Sequence, residues 1–363
     1  MPTPVPVPRE RPAFALRDLG HLDGRTLDQV TEVLRRCTEA DDVEPVDEAT
    51  WLRLHDPAAP VRHLLAVSTD GTSPADGTSP VDAPSAGTTR ALGTTGAAGG
   101  AGDPPAGSLI GYAQLAPSGT VPELALAIHP DHRGLGHGRR LLTAAARRSP
   151  TGQVHAWAHG DLPAARALAA AAGLTAVREL RQLGHSLEPG LPDPRLPSSV
   201  RLRAFRPGLD DEAWLVVNAA AFADHPEQGR WTRQDLQARM AEAWFDPADF
   251  LLAVEPAEPT GSAQPTGSAQ PTAVERIVAF HWTKVHHGVP PVGEVYVIGA
   301  HPAHQGRGLG RALTLAGLHH LAGRGLRHVI LYVDADNTAA IRLYRGLGFT
   351  ARRVDVMFAG RPS

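Results

Sequence analysis

An eleven-residue segment that occurs twice constrains this chain more than any other feature. His129-Pro130-Asp131-His132-Arg133-Gly134-Leu135-Gly136-His137-Gly138-Arg139 returns 172 residues later as His301-Pro302-Ala303-His304-Gln305-Gly306-Arg307-Gly308-Leu309-Gly310-Arg311. The copies agree without a gap at both His, at Pro, at three Gly and at Arg, so the chain is read as two copies of one domain. Its 363 residues also exceed the ~100–200 usual for a single domain.

Each copy has the pattern of a mixed α/β domain. A strand is followed by one or two helices, a strand hairpin, a central strand, the Gly-rich turn, a helix, a strand, a helix and a final strand. In the second copy, 293–300 alternates as a strand and 311–324 carries helical apolar spacing. A strand over 329–333 and a helix over 337–347 follow, with Gly348 ending the helix. Two low-complexity stretches, 68–107 with repeated Asp-Gly-Thr-Ser-Pro and 256–273 with repeated Pro-Thr-Gly-Ser-Ala-Gln, are expected to be disordered insertions. Each lies between an apolar run ending in Leu-Ala-Val (64–67 and 251–254) and a second strand-like run (108–115 and 276–285), so both extend the same hairpin. The Pro-rich segment 189–199 reads as the linker, giving an N-terminal domain over 1–190 and a C-terminal domain over 200–363.

Composition narrows the function. A net charge of -3 supplies no basic field for nucleic acid, and no apolar stretch approaches bilayer length. Nothing at the start resembles a secretory signal, so the expected location is the cytoplasm. Cys37 is the only cysteine, which excludes an internal disulfide, and it reads as a small buried apolar residue. The 18 His are scattered, and the pairs His286-His287 and His319-His320 lack one-face ligand spacing, so no metal is expected. A monomer acting on a small molecule is the expectation.

A Gly-rich turn between a strand and a helix points backbone N–H groups into one concavity, where the helix N-terminus adds partial positive charge for a pyrophosphate. Gly308 and Gly310 permit close approach, and Arg307 and Arg311 add charge. Arg311-Ala312 after Gly310 excludes the Gly-Lys-Ser/Thr triphosphate loop. Gln305 to Gly310, and Arg133 to Gly138, resemble the Gln/Arg-x-x-Gly-x-Gly/Ala signature of the GNAT superfamily of N-acetyltransferases. Asp336-Asn337-Thr338-Ala339-Ala340-Ile341-Arg342-Leu343-Tyr344-Arg345-Gly346-Leu347-Gly348-Phe349 resembles its second hallmark, Asn-x-x-Ala-x-x-x-Tyr-x-x-x-Gly-Phe.

The resemblance implies two tandem acetyltransferase folds, each a mixed central sheet flanked by helices, that use acetyl-CoA as acetyl donor. It places coenzyme contacts at Gln305, Gly306, Arg307, Gly308, Leu309, Gly310 and Arg311, at the strand end Ile298, Gly299 and Ala300, and at Asn337, Thr338, Ala339, Ala340, Ile341 and Arg342. In the first copy it places them at Leu126, Ala127, Ile128, Gly134, Leu135, Gly136, His137, Gly138 and Arg139. Tyr344 falls where many relatives hold the general acid for the coenzyme A thiolate, with packing as its alternative role. The first copy has Ala or Leu there, so it is expected to bind without turnover. Glu294 on the central strand is the candidate general base, and Glu123 is its counterpart with a one-residue slip.

Asp41-Asp42-Val43-Glu44-Pro45-Val46-Asp47-Glu48 and Phe222-Ala223-Asp224-His225-Pro226-Glu227-Gln228-Gly229 resemble segments of the mycothiol synthase family. That family acetylates the cysteinyl amine of a cysteinyl-glucosaminyl-inositol, a thiol-containing amine. Carried over by position, acceptor contacts fall on Glu48, Glu227, Lys284, Glu294 and Tyr332. The alternatives are a tandem acetyltransferase of another small amine and an acyl-CoA-binding sensor without turnover.

Overall fold

The computed structural model describes residues 14–69, 107–188, 190–225, 228–256 and 275–363. The two insertions, like Pro226 and Glu227, lie outside them apart from the insertions' edges. The chain forms two compact units. One comprises the residues up to Arg178 together with Asp355–Ser363, and the other comprises Glu179–Val354.

The first unit runs through β1 (Phe14–Leu19), α1 (Gly24–Asp41), α2 (Glu48–His55), β2 (Arg62–Ser68), β3 (Leu109–Ala116), β4 (Glu123–Ile128), α3 (His137–Ala146), β5 (Val154–Ala158), α4 (Pro163–Ala171) and the start of β6 (Thr175–Ser186). The second contains the rest of β6, then β7 (Arg201–Ala204), α5 (Asp211–Ala221), α6 (Arg233–Met240), β8 (Phe250–Pro256), β9 (Glu275–His286), β10 (Val292–Ala300), α7 (Leu309–Gly323), β11 (His328–Asp334), α8 (Thr338–Arg345) and the start of β12 (Thr350–Gly360). Every element expected in the second repeat is found within about two residues of its expected bounds.

Sheet order is β1-β2-β3-β4-β5-β12 in the first unit and β7-β8-β9-β10-β11-β6 in the second. Pairing is antiparallel except for β4 with β5 and β10 with β11. The low-complexity stretches join β2 to β3 and β8 to β9, which pair as hairpins.

The division between units falls inside β6, at Arg178/Glu179, and not in the segment 189–199 that the sequence suggested. The two repeats exchange their final strands. β6 starts in the first unit and pairs with β11 through Leu180–Ser186, while β12 leaves the second unit and pairs with β5 through Val356–Gly360. Sequence alone could not show this, because both strands pair with partners remote in the chain.

The helices follow from spacing and caps. In α1, Val30, Val33, Leu34 and Cys37 are buried at i, i+3, i+4 and i+7, and the Asp23 carboxylate caps the helix by accepting from Thr26 N–H at 2.7 Å. Cys37 is 1% exposed and its Sγ donates to the Ile128 carbonyl at 3.3 Å, so its buried, apolar reading holds. β3 is buried along its whole length and β9 over Ile277–Thr283, as central strands covered on both faces must be. No helix among the described residues is long and apolar enough to cross a membrane.

Candidate active site

Backbone geometry makes the opening at the centre of the second unit. β10 and β11 pair in parallel only from Gly293/Val329 to Val295/Leu331, although β10 continues to Ala300 and β11 to Asp334. The strands part beyond that point. On its other side β10 stays paired with β9, but the register slips by one between Val295 and Val297, leaving Tyr296 as the extra residue of a β-bulge. In the first unit β4 and β5 also part, after Leu124/Ala156, yet the register of β3 with β4 is unbroken. The bulge accounts for the slip between repeats: Glu123 and Glu294 are 171 apart, whereas the Gly-rich turns are 172 apart.

Beyond each central strand, glycines shape the turn. Gly306 and Gly308 have φ of +74° and +79°, Gly134 and Gly136 of +77° and +85°, the left-handed region that other residues enter at a cost. Gly308 and Gly136 are the N-caps of α7 and α3, and neither helix has a side-chain cap. The first-turn N–H groups lack intrahelical acceptors and face outward as an anion cradle. The first signature residue latches the turn in both copies. Gln305 donates to the Ala300 carbonyl at 3.4 Å, and Arg133 to the Ile128 carbonyl at 3.0 Å while forking onto Asp41.

Arg307 departs from expectation. Its guanidinium is committed to Glu255 at 2.9 Å, Ser199 at 3.2 Å and His304 at 2.8 Å, leaving its backbone for the cradle. Arg311 is exposed in the first turn of α7.

Tyr344 is the seventh residue of α8, a helix capped by the Asn337 side chain accepting from Ala340 N–H at 3.1 Å. Its phenol is 6% exposed and packs in a core with Val295, Leu331, Val333 and Phe349. Burial pushes it up to about 12, so it stays protonated at neutral pH and keeps a proton to donate. The seventh residue of α4 is Ala169, which settles the counterpart that the sequence left between Ala and Leu.

Side chains on the opposite sheet face complete the site. Glu294 pairs across from Lys284 in register, and His286 lies two residues along the same face. The Glu294 carboxylate, 7% exposed, is hydrogen-bonded to His286 Nε2 at 2.6 Å, and the His286 side chain is 41% exposed. Lys284 Nζ lies 4.4 Å from the Trp244 ring centre and 5.2 Å from that of Tyr296. Tyr332, two residues beyond Ile330 that pairs with Glu294, shares this face and accepts from Gln182 Nε2 at 2.7 Å.

Thus Lys284, Glu294 and Tyr332 come together. Glu48 does not join them within the second unit: it opens α2 of the first. Glu227 lies outside the described residues. His225 is 3.5 Å from Asp334 at the end of β11, and a Cβ on Gly229 would lie 2.1 Å from the Phe222 carbonyl oxygen. Sequence reasoning passed over His286, treating it as half of an unsuitable metal pair. The β-hairpin register would have placed it beside Glu294. Among the described residues no cluster of His, Cys, Asp and Glu fits a metal ion.

In the first unit, Glu123 has Arg53 at 3.9 Å and Ser118 at 3.5 Å, and Ala116 stands opposite it where the second unit has Lys284.

The model of the acetyltransferase (GNAT) family matches residues 94–173 and 219–349. Two solved structures share the fold across both units: a GCN5-related N-acetyltransferase from Sphaerobacter thermophilus (22% identity, TM-score 0.59, 96% of this chain and 95% of that one) and a tandem GNAT protein from the clavulanic acid biosynthesis pathway (16%, 0.63, 96% and 98%). The mycothiol acetyltransferase of Streptosporangium roseum is 44% identical over 93% of this chain and 97% of its own. Those of Salinispora arenicola (45%, 90% and 91%) and Nocardia farcinica (44%, 93% and 95%) are similarly related. With the GNAT model matched in both halves and this identity along nearly the whole length, the chain belongs to the mycothiol acetyltransferase family of GNAT proteins.

Proposed function

We propose that the protein transfers the acetyl group of acetyl-CoA to the cysteinyl amine of a cysteinyl-glucosaminyl-inositol, completing mycothiol, and that the second unit performs the transfer. The observation that carries this reading is the placement of Glu294 and Tyr344. Alternation along β10 puts Val295, which packs with Tyr344, on one sheet face and Glu294 on the other, with the parted strands between them. An acceptor amine and a donor thioester can therefore meet in the opening, with a base on one side and a proton donor on the other.

Glu294 takes the proton of the acceptor ammonium, and the free amine attacks the thioester carbonyl. The carbon–sulfur bond breaks, and Tyr344 supplies the proton that the departing thiolate needs. His286 joins the buried carboxylate to solvent and carries the proton away. Lys284 and Tyr332 present donors to the hydroxyl and carbonyl oxygens of the acceptor. Glu48 and Glu227 are assigned to the acceptor through the family resemblance. The turn 305–311 and the strand end 298–300 hold the coenzyme, with Asn337 to Arg342 beside them. The first unit keeps the corresponding turn, 133–139, and binds coenzyme A without turnover.

Acetyl-CoA consumption measured with cysteinyl-glucosaminyl-inositol, a lysine peptide and an aminoglycoside tests the acceptor. Turnover with the first alone is the expected result. Equal or greater rates with either of the others would displace it in favour of a tandem acetyltransferase of another amine.

A further inference from the structure

The first unit contains an apolar cavity of about 70 Å³ where its central strands part. Leu124 of β4, Ala156 of β5, Leu168 and Ala169 of α4, and Phe358 of β12 help to line it, and no charged side chain reaches it. The position corresponds to that of the Tyr344 phenol in the second unit, because Ala169 and Tyr344 are the seventh residues of α4 and α8. Truncating a phenol to a methyl group leaves unfilled volume when the surrounding sheet cannot collapse.

The cavity adjoins the strand end that the family resemblance assigns to the coenzyme, because Leu126 lines it. A Cβ on Gly138, in the first turn of α3, would touch Leu168 at 3.3 Å, and Leu168 lines the cavity. On the coenzyme reading, a ligand whose phosphates sit on the turn at Gly134 and Gly136 would have its acyl end beside this apolar cavity. A void needs ~10–15 Å³ by this measure for one water-sized group, so this one takes roughly five. An acetyl group has three non-hydrogen atoms and a butyryl group five.

We propose that the first unit is a binding site for short-chain acyl-CoA thioesters longer than acetyl-CoA, with the best fit near butyryl. This rests on the reading that the turn 133–139 binds coenzyme A. The site holds its ligand without transferring the acyl group: Ala169 has no proton to give, and Glu123 is paired with Arg53. Each buried methylene strengthens binding about fourfold, the equivalent of ~0.8 kcal/mol. Butyryl-CoA should therefore bind here about fifteenfold tighter than acetyl-CoA, and octanoyl-CoA should lose the advantage.

Calorimetric titration of the full chain, without acceptor amine, with CoA, acetyl-CoA, butyryl-CoA and octanoyl-CoA tests this. The expected result is two sites for CoA, one of them preferring butyryl-CoA, with the preference abolished by Ala169→Tyr while two CoA sites remain. Ala169→Leu, which fills less of the cavity, should reduce the preference in part and guards against misfolding, checked by melting temperature. Two CoA sites with no chain-length preference at either would overturn the proposal and leave the coenzyme reading intact. A single CoA site unaffected by Gly136→Ala, but lost in Gly308→Ala, would overturn both.

Discussion

The two units share a sheet order, a latched Gly-rich turn and paired helices, and they differ at three places around the strand opening. The second has the Tyr296 bulge, the Tyr344 phenol and a Glu294 bonded to His286. The first has an unbroken register, Ala169, and a Glu123 held by Arg53. The fold tolerates the loss of all three because none of them builds the framework. The backbone of the Gly-rich turn is alike in both copies, whereas the side chains proposed to move protons stand only in the second.

The sharpest way to break this comparison is to make the second unit resemble the first at α8. Tyr344→Phe should lower kcat about 100-fold, within the ~10²–10⁴ range for a lost general acid, with the KM for acetyl-CoA nearly unchanged. A rise in KM with normal kcat would reduce Tyr344 to a packing residue. In the wild type, the phenol is pushed up to about 12. Its acidic form therefore persists through pH 10, and kcat/KM should show no alkaline fall below that pH.

His286→Asn should have a smaller effect, about tenfold in kcat/KM at pH 6 and little by pH 9, where the amine needs no base. An ammonium of this kind loses its proton near ~7.7–8.0. A uniform loss at every pH would show that His286 merely packs against Glu294.

The smallest effect concerns stability. Burial holds His281 down to about 4; its Nδ1 is bonded to the Leu313 carbonyl oxygen, and its ring fills the space left by Gly317. The folded group stays neutral while the unfolded one protonates, so below about pH 6.5 the second unit loses on the order of 1 kcal/mol per pH unit until pH 4. In the first unit, burial opposes the charge on His159, but the hydrogen bond and charge of Asp355 win and raise it. That contribution is fully present below pH 6.5 and fades as pH rises through the raised value. Hydrogen exchange between pH 6.5 and 5 should therefore quicken in β9 and α7 before it does in β5. Faster exchange in β5 first would contradict both assignments.

Much of this was legible in the sequence because it is local. The duplicated turn, the helix over 311–324, the hairpins around the low-complexity stretches and the place of Glu294 on the central strand follow from spacing, and Tyr344 from the family resemblance of 336–349. What was hidden depends on pairing between distant residues. The exchange of β6 and β12 puts the division between compact units at Arg178, inside β6, and Glu255, remote in the chain, pairs with the Arg307 guanidinium. The one-residue slip between Glu123 and Glu294 was visible as an offset, and its cause, the Tyr296 bulge, was not.

The division of labour between units is tested most directly by kcat/KM against pH for Glu294→Gln and Glu123→Gln, side by side. Glu294→Gln should fall at least ~10²-fold at pH 7 and recover partly as pH rises past the amine's own pKa. Glu123→Gln should follow the wild type throughout. A Glu294→Gln profile parallel to wild type and only slightly lower, or a comparable loss in Glu123→Gln, would contradict the placing of the chemistry in the second unit.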